Sequence, residues 1–365
     1  MKYNDLILLD ACFNTIGLIE DFTSLRWTRR YFGCGDFMLV TSLNNFQEVC
    51  NGIPYNEHSL KARYIYNPES GDTAVIEEYK AQTDASGARK LTLSGRMLEA
   101  LLDTRVLDSA TLLSGYAEQS ARVLVQKFAL TGARQIGKLA LGKAAGYTES
   151  ATAQYAGITL MNALYNLLGP VGLSPKLSYD FNGDKLYFTV TRGLDRTQAQ
   201  NVNSWALFSA EFENVRSSSY MHSDRHYRNY IYIGGEYNAD GSRRIATLDL
   251  TGGGERRELF VDAKGIRRVY TDERGILRTA TDAEYNAMLI GKGRQAASSA
   301  FIKSDSVEGV VLADAPPGYR VGYDLGDICD YVDGALGVVS SMRITEVCES
   351  HEGGAPSVRL TLGNV

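Results

Sequence analysis

The sequence predicts an α+β protein, mainly β, in which two barrel-like β domains are separated by a helical section. Three observations predict it. Glycine supplies 36 of 365 residues and proline only 7, against usual shares of about 7% and 5%. The 22 tyrosines suit half-buried pleated surfaces. Short alternating runs fill both ends of the chain, whereas apolar residues at helical spacing gather in the middle and in one later stretch. The length fits two or three domains. We expect a first barrel-like domain over 1–106, a helical section over 107–205 with a hairpin at 177–191, and a second barrel-like domain over 206–365 with a helix near 282–299. For 40.1 kDa, area scaling gives a folded surface of about 14,000 Å² against about 58,000 Å² unfolded, enough for a large core without staples.

In the first domain, Ser24 to Phe32 alternates. Leu25, Trp27 and Tyr31 point one way and Ser24, Arg26, Thr28 and Arg30 the other, with Arg29 the exception on the apolar side. Gly33-Cys34-Gly35 then reverses the chain into Asp36 to Val40. Further strands are expected at Leu6–Asp10, Ile16–Phe22, Arg63–Tyr66, Val75–Tyr79 and Lys90–Leu93, a pattern of a barrel or sandwich rather than a parallel sheet.

Helical periodicity begins at Gly95, with Met97, Leu98, Leu101 and Leu102 on one face. A second helix is expected from Tyr116 to Leu130, turning Leu124, Val125 and Phe128 inward. A third is expected from Ser150 to Leu168, with a stripe of Ala153, Ala156, Leu160, Leu164, Leu167 and Leu168 that Gly169-Pro170 stops. The hairpin is read from Asn182-Gly183, the pair that a type I′ turn requires because both central residues need φ > 0. In that register Asp180 faces Lys185, Tyr179 faces Leu186 and Leu177 faces Phe188, so charge meets charge and apolar meets apolar.

Strands return after Ala206, at Asn229 to Ile233 and, past an Asp240-Gly241 turn, at Arg244 to Leu250. Asp262-Ala-Lys-Gly265 and Asp272-Glu-Arg-Gly275 read as successive Asp-initiated turns of a β-meander, each closed by a left-handed glycine. Thr281-Asp-Ala-Glu284 has the capping-box spacing and opens a helix through Tyr285, Met288 and Leu289 to about Ser299. The tail from Phe301 reads as strands.

Basic residues number 38 and acidic 43, a net of -5, which excludes a bulk polybasic nucleic-acid binder. The charge is uneven. Gln119 to Thr148 holds five cations and no acid, whereas Ser304 to Glu352 holds ten acids against Arg320 and Arg343; that tail reads as a solvated face or as an acidic surface to which a polyanion does not stick. No apolar run approaches a membrane span, and Asp10 cuts short the run from Leu6 to Leu9, too short also for a signal-peptide core. Five cysteines, at 12, 34, 50, 329 and 348, contain no C-x-x-C pair and suit a reducing compartment as packed small hydrophobes.

Chemistry-bearing motifs are sparse. Gly132-Ala-Arg-Gln-Ile-Gly137-Lys138 resembles a phosphate loop, but Leu139 stands where magnesium ligation needs Ser or Thr and a helix rather than a strand precedes it. Gly252-Gly253-Gly254 reads as a flexible loop. His222 and His226 have an i, i+4 spacing that would chelate a metal on a helix, but their serine-rich context reads as loop. His58 and His351 stand alone, and no nucleophile elbow is present. Arg26-Trp27 and Arg29-Arg30-Tyr31 suit nucleic acid, sugar or a strand with an interface face equally. No catalytic, cofactor-binding or metal residue is assigned.

Several blocks in series resemble one family. Asp21-Phe-Thr-Ser-Leu-Arg-Trp-Thr-Arg-Arg-Tyr31 with Gly35-Asp-Phe-Met-Leu39 is similar to the opening of the ReqiPepy-type siphovirus tail protein family. Leu93-Ser-Gly-Arg-Met-Leu98 with Arg105 is similar to its strand-to-helix signature, and Phe208-Ser-Ala-Glu-Phe-Glu-Asn214 with Tyr227-Arg-Asn-Tyr230 to its central block. Tyr323-Asp-Leu-Gly-Asp-Ile328, Arg343-Ile-Thr-Glu346 and Leu360-Thr-Leu-Gly-Asn364 resemble its final strands. The resemblance implies a baseplate-hub-like fold and a structural tail-tip protein of the virion, assembled in the host cytoplasm, without enzymatic activity or cofactor. It implies a homotrimer as partner, with tail tube, distal tail and tape measure proteins and a tip fibre or spike around it. DNA would transit its lumen without specific binding, and no membrane would be involved. The competing readings are a tail-associated cell-wall hydrolase and a carbohydrate-binding tip module.

Overall fold

The computed structural model describes residues 5–43, 61–83, 85–272, 276–300, 304–312, 316–352 and 355–365. Cys50, His58, Asp314 and the turn closed by Gly275 lie outside them. The chain opens with strands β1 (Leu6–Leu9), β2 (Thr15–Ile19), β3 (Ser24–Arg30), β4 (Asp36–Ser42), β5 (Tyr64–Tyr66), β6 (Thr73–Thr83) and β7 (Arg89–Met97). The middle carries a single turn α1 (Ala100–Asp103), β8 (Thr111–Tyr116), α2 (Ala117–Ala129), β9 (Leu139–Leu141), β10 (Ser150–Tyr155), α3 (Leu160–Leu168), β11 (Ser174–Asp180) and β12 (Lys185–Thr191). There follow β13 (Leu207–Ser209), β14 (Val215–Ser223), β15 (Tyr230–Tyr237), β16 (Arg243–Asp249), β17 (Glu258–Asp262), β18 (Val269–Thr271), β19 (Leu277–Thr279) and α4 (Asp282–Ala300). β20 (Ser304–Val311), β21 (Ile328–Asp333), β22 (Val338–Glu352) and β23 (Ala355–Gly363) complete the chain.

The protein is mainly β, but its strands do not close on themselves. Thirteen of them form one sheet in the order β14-β20-β23-β22-β3-β4-β7-β6-β5-β1-β2, with β21 beside β22 and β13 beside β21. β3 and β22 run antiparallel from Arg30 opposite Glu346 to Ser24 opposite Glu352. Strands from the two ends of the chain therefore belong to one sheet, and two closed barrels do not form among the described residues.

Three smaller sheets, β10-β8-β18-β19, β11-β12-β9 and β16-β15-β17, flank the large one. The helical periodicity of α2 is realised: Leu124, Val125 and Phe128 are buried against α3 residues Leu164 and Leu167. Two other helical expectations hold only in their second halves, as α1 with Leu101 and Leu102 buried and as α3, which ends before Gly169-Pro170. β7 continues through Gly95 to Met97, and a Cβ at Gly95 would collide with the Val75 carbonyl, so this glycine permits close strand approach. Ser150–Tyr155 pairs with β8 instead of coiling. Gly157 at φ +68 then separates that strand from α3, which Thr159 caps by accepting the Asn162 N–H (3.3 Å).

The hairpin has the expected register, with Asp180 opposite Lys185, Tyr179 opposite Leu186 and Leu177 opposite Phe188. Its turn is not type I′. Neither Asn182 nor Gly183 adopts positive φ; Asp184 does (φ 49). The Asp180 carboxylate accepts the Asn182 and Gly183 N–H groups (3.1 and 2.9 Å), an Asx-type closure that needs a residue without Cβ at 183 because Asp180 fills that space. The meander expectation holds in part. β18 and β19 pair antiparallel and the Lys264 N–H donates to Asp262 (3.2 Å), but β17 pairs parallel with β15 rather than with β18, and Gly265 is not left-handed. The capping box of α4 forms as expected: the Thr281 N–H donates to Glu284 Oε2 (2.7 Å) and the Glu284 N–H to Thr281 Oγ1 (3.3 Å).

Candidate functional site

The candidate site is the seam where β3 meets β22, because it gathers residues from the beginning, middle and end of the chain. Alternation along β3 puts Leu25, Trp27 and Arg29 on one face. Trp27 is 1% exposed and Arg29 8%. A buried guanidinium needs compensation, and loops and strands far away in sequence supply it. Arg29 Nη2 donates to Asp324 Oδ1 (2.6 Å) and to the Tyr319 hydroxyl, while its Nε lies 3.9 Å from Glu349 and 4.0 Å from Asp72. Arg320 donates to Asp72 Oδ2 (2.8 Å) and to Glu349 Oε1 (2.6 Å), and the Tyr319 hydroxyl donates to the same Glu349 oxygen (2.6 Å). These contacts hold Arg320 at φ 63, a left-handed conformation uncommon for a side-chain-bearing residue.

Burial would lower the Arg29 pKa, but the adjacent charge of Asp72, the Tyr319 hydroxyl and Asp324 drive it well above its usual value. Burial likewise pushes Asp72 and Asp324 upward, but the charges of Arg29 and Arg320 together with the hydrogen bonds each carboxylate accepts more than reverse this, so both carboxyls stay below their usual range. Arg29, Asp72 and Asp324 thus hold one another in their charged forms.

Around it the middle of the chain is tied down. Arg196 pairs with Asp327 (2.6 Å), whose other oxygen accepts the Leu194 N–H (2.7 Å). The Tyr31 hydroxyl donates to the Gly172 carbonyl (2.9 Å), the Ser174 hydroxyl to the Tyr31 carbonyl, and Arg343 to the Gly326 carbonyl (2.8 Å) while lying over the Tyr31 ring. On the opposite face Arg30 binds Asp36 and Glu346 (2.6 Å each). A cleft of about 420 Å³ opens beside the seam between Asp72, Glu99 and Lys176. Burial pushes the Glu99 carboxyl upward, and it accepts the Leu177 N–H (3.0 Å). Asp72 and Glu99 are thus engaged in holding the fold together.

The acidic tail is in good part consumed by this arrangement. Asp324, Asp327, Glu346 and Glu349 serve arginines of the seam, and Asp305 lies 2.7 Å from His222 Nδ1. Asp330 and Asp333 accept backbone N–H groups of Gln198 and Leu336, while Glu308 and Glu352 remain exposed. An acidic surface made of the whole segment is therefore corrected to a few carboxylates. Arg29, visible in the sequence as an oddity of alternation, is the central cation; its partners carried no local signal.

The remaining motifs are accounted for structurally. Lys138 of the phosphate-loop-like segment pairs with Asp184, which Tyr179 also binds (2.8 Å). Gly252 to Gly254 form the turn between β16 and β17. His222 sits on a strand rather than in a loop, and no helix brings His226 onto its face. Among the described residues no group of three His, Cys, Asp or Glu is placed to hold a metal, and no helix is long and apolar enough to cross a membrane. Cys329 is buried and Cys34 and Cys348 partly so, but Cys12 is exposed, contrary to its expected packing.

Comparison with known proteins points one way. A family model described as siphovirus ReqiPepy6 Gp37-like protein matches residues 5–364. The 43 kDa tail protein of prophage MuSo2 from Shewanella oneidensis is similar in fold, with TM-score 0.56 and 13% identity over 99% of this chain and 98% of that one. The tail protein from Neisseria meningitidis MC58 aligns with TM-score 0.55 and 15% identity over 99% and 96%. Prophage tail protein gp18 from Listeria monocytogenes EGD-e aligns with TM-score 0.53 and 15% identity over 99% and 95%. No curated protein matches the sequence.

Proposed function

Since the chain belongs to the siphovirus ReqiPepy6 Gp37-like family, we propose that this phage tail protein, a structural component of the virion tail, is the hub of the tail tip. In this reading it trimerises, joins the tail tube or distal tail ring to the tip fibre or spike, and leaves a bore through which DNA passes. The observation that carries the reading is the single open sheet built from both ends of the chain and fixed by a buried ion cluster. Such a sheet is a wall with open edges rather than a closed vessel, and walls are completed by neighbours.

Surface composition supports assembly. Val202, Val321, Val339, Leu277, Phe212 and Leu336 are each more than half exposed and are available to pack against neighbouring subunits. The buried polar groups of the seam, Arg29, Asp72, Tyr319, Arg320, Asp324 and Glu349, bond to one another, and this reading gives them no bond-making step. The division into 1–106, 107–205 and 206–365 is proposed with one refinement. Residues 230–300 associate with the helical section, because β18 joins β8 and α4 packs on β10. If a bore forms, Glu308 and Glu352 are the exposed tail carboxylates available to face it.

The test is native mass, alone and with tail-tube protein. The expected species has three times the 40.1 kDa of one chain, binds the tube protein, and clears no cell wall in a zymogram. A protein that stays monomeric in both conditions, or lyses cell wall, refutes the hub.

A further inference from the structure

The main run of the large sheet ends at β2 and at β14, its side branch through β21 ends at β13, and among the described residues no strand lies beyond β2 or β14. Exposed edges are normally blunted by brevity, lysine, proline or bulges. β14 is nine residues long, has no lysine or proline, and bulges only at its start, between Val215 and Ser217. Ser217, Ser218, Ser219, Met221 and His222 are exposed along it. β2 carries no charged residue at all, and Leu18 on it is 41% exposed.

The two edges also differ in charge. Residues 5–21 contain four acids and no Lys or Arg, whereas 215–228 contain three arginines and two histidines against Asp224 alone. Asp5 and Glu20 on one side and Arg216 and Arg225 on the other are exposed. Like edges would repel and unlike edges attract.

We propose that the occupant of each edge is a second copy of this chain: the β2 edge of one protomer pairs with the β14 edge of the next. This rests on the reading that copies of the chain assemble, and adds which surfaces meet. The contact is heterologous, head to tail, so repeating it closes a ring or continues as a filament. The length of β2 limits the added ladder to about five residue pairs, and opposite charge around it makes assembly weaken as salt rises.

Cross-linking tests it on the full chain. In a background of Cys12→Ser and Cys50→Ser, Leu18→Cys is placed in one tagged protein and Met221→Cys in another; Ser217→Cys and Ser219→Cys extend the scan because the register is open. Opposed Cβ atoms in neighbouring strands lie close enough for a disulfide. The expected result is a covalent dimer in the mixture of the two proteins and none in either alone. One chain carrying both cysteines should give a covalent species with the mass of the native assembly. If native mass shows an oligomer but no pair cross-links, the edges do not meet and the hub reading stands. If the protein is monomeric throughout, both fall.

Discussion

In the helical section, Leu124, Val125 and Phe128 of α2 close on Leu164 and Leu167 of α3, and burial of apolar area holds them. At the seam, Arg29, Arg320, Asp72, Asp324 and Glu349 replace such a core with charge. The first arrangement tolerates imperfect fit, because apolar contact is non-directional. The second does not, because each partner removed leaves an uncompensated buried charge. The large sheet is therefore pinned, where strands from the two ends of the chain meet, by the less forgiving device.

Substitution in both regions breaks this contrast most sharply. Arg29→Met keeps most of the volume but takes away the ion-pair partner of Asp324 and leaves Arg320 alone against Asp72, Asp324 and Glu349, and is expected to cost about 3–5 kcal/mol. Leu164→Ala, at a fully buried site, is expected to cost about 3 kcal/mol through its cavity. Urea unfolding measures both. The distinguishing result is coupling: Glu349→Gln should recover part of the Arg29→Met loss and none of the Leu164→Ala loss. Equal behaviour in the two backgrounds would show that the seam is held by packing alone.

The same contrast explains what the sequence disclosed. Local patterns were legible where both partners lie close in the chain: the register of the 174–191 hairpin and the capping box at Thr281 followed from spacing. Arg29 was visible as a misfit, but Asp72, Asp324 and Glu349 lie 43 to 320 positions away and look like any surface acids. Helix over 150–156 was misread because its alanines satisfy a helical stripe, and only the partner strand β8 decides otherwise. The turn at 182–183 was misread because the Asp180 carboxylate, not backbone preference, sets its geometry. The joining of the two ends has no sequence-local trace at all.

Acid sharpens the comparison with a smaller effect. Asp72 and Asp324 have depressed pKa values in the fold. Their contribution is therefore fully present above the unfolded carboxyl value near 4 and is lost as pH falls through the folded values. Below about pH 4 the seam should open before the helices. Trp27 stands opposite Glu349 and is buried, so its fluorescence in a Trp205→Phe variant reports the seam while far-ultraviolet dichroism reports the helices. Arg29→Met should flatten the acid limb of the fluorescence curve. Coincident transitions in the unsubstituted seam would mean that the two regions unfold as one unit.

The smallest expected effect lies where neither region is touched. α4 begins at a reciprocal cap, with Thr281 Oγ1 and Glu284 Oε2 each satisfying the other's N–H. Ala280 before it and Tyr285 after it are both buried, in the manner of a hydrophobic staple. Thr281→Ala removes the hydroxyl acceptor but leaves the staple and the Thr281 backbone bond to Glu284, so the cost should be about 1 kcal/mol. Hydrogen exchange should rise over the first turn of α4 without change at β3 or β22. A seam that loosened with this cap would mean that α4 and the large sheet are energetically joined, and that the difference between charge-held and apolar-held regions is one of composition only.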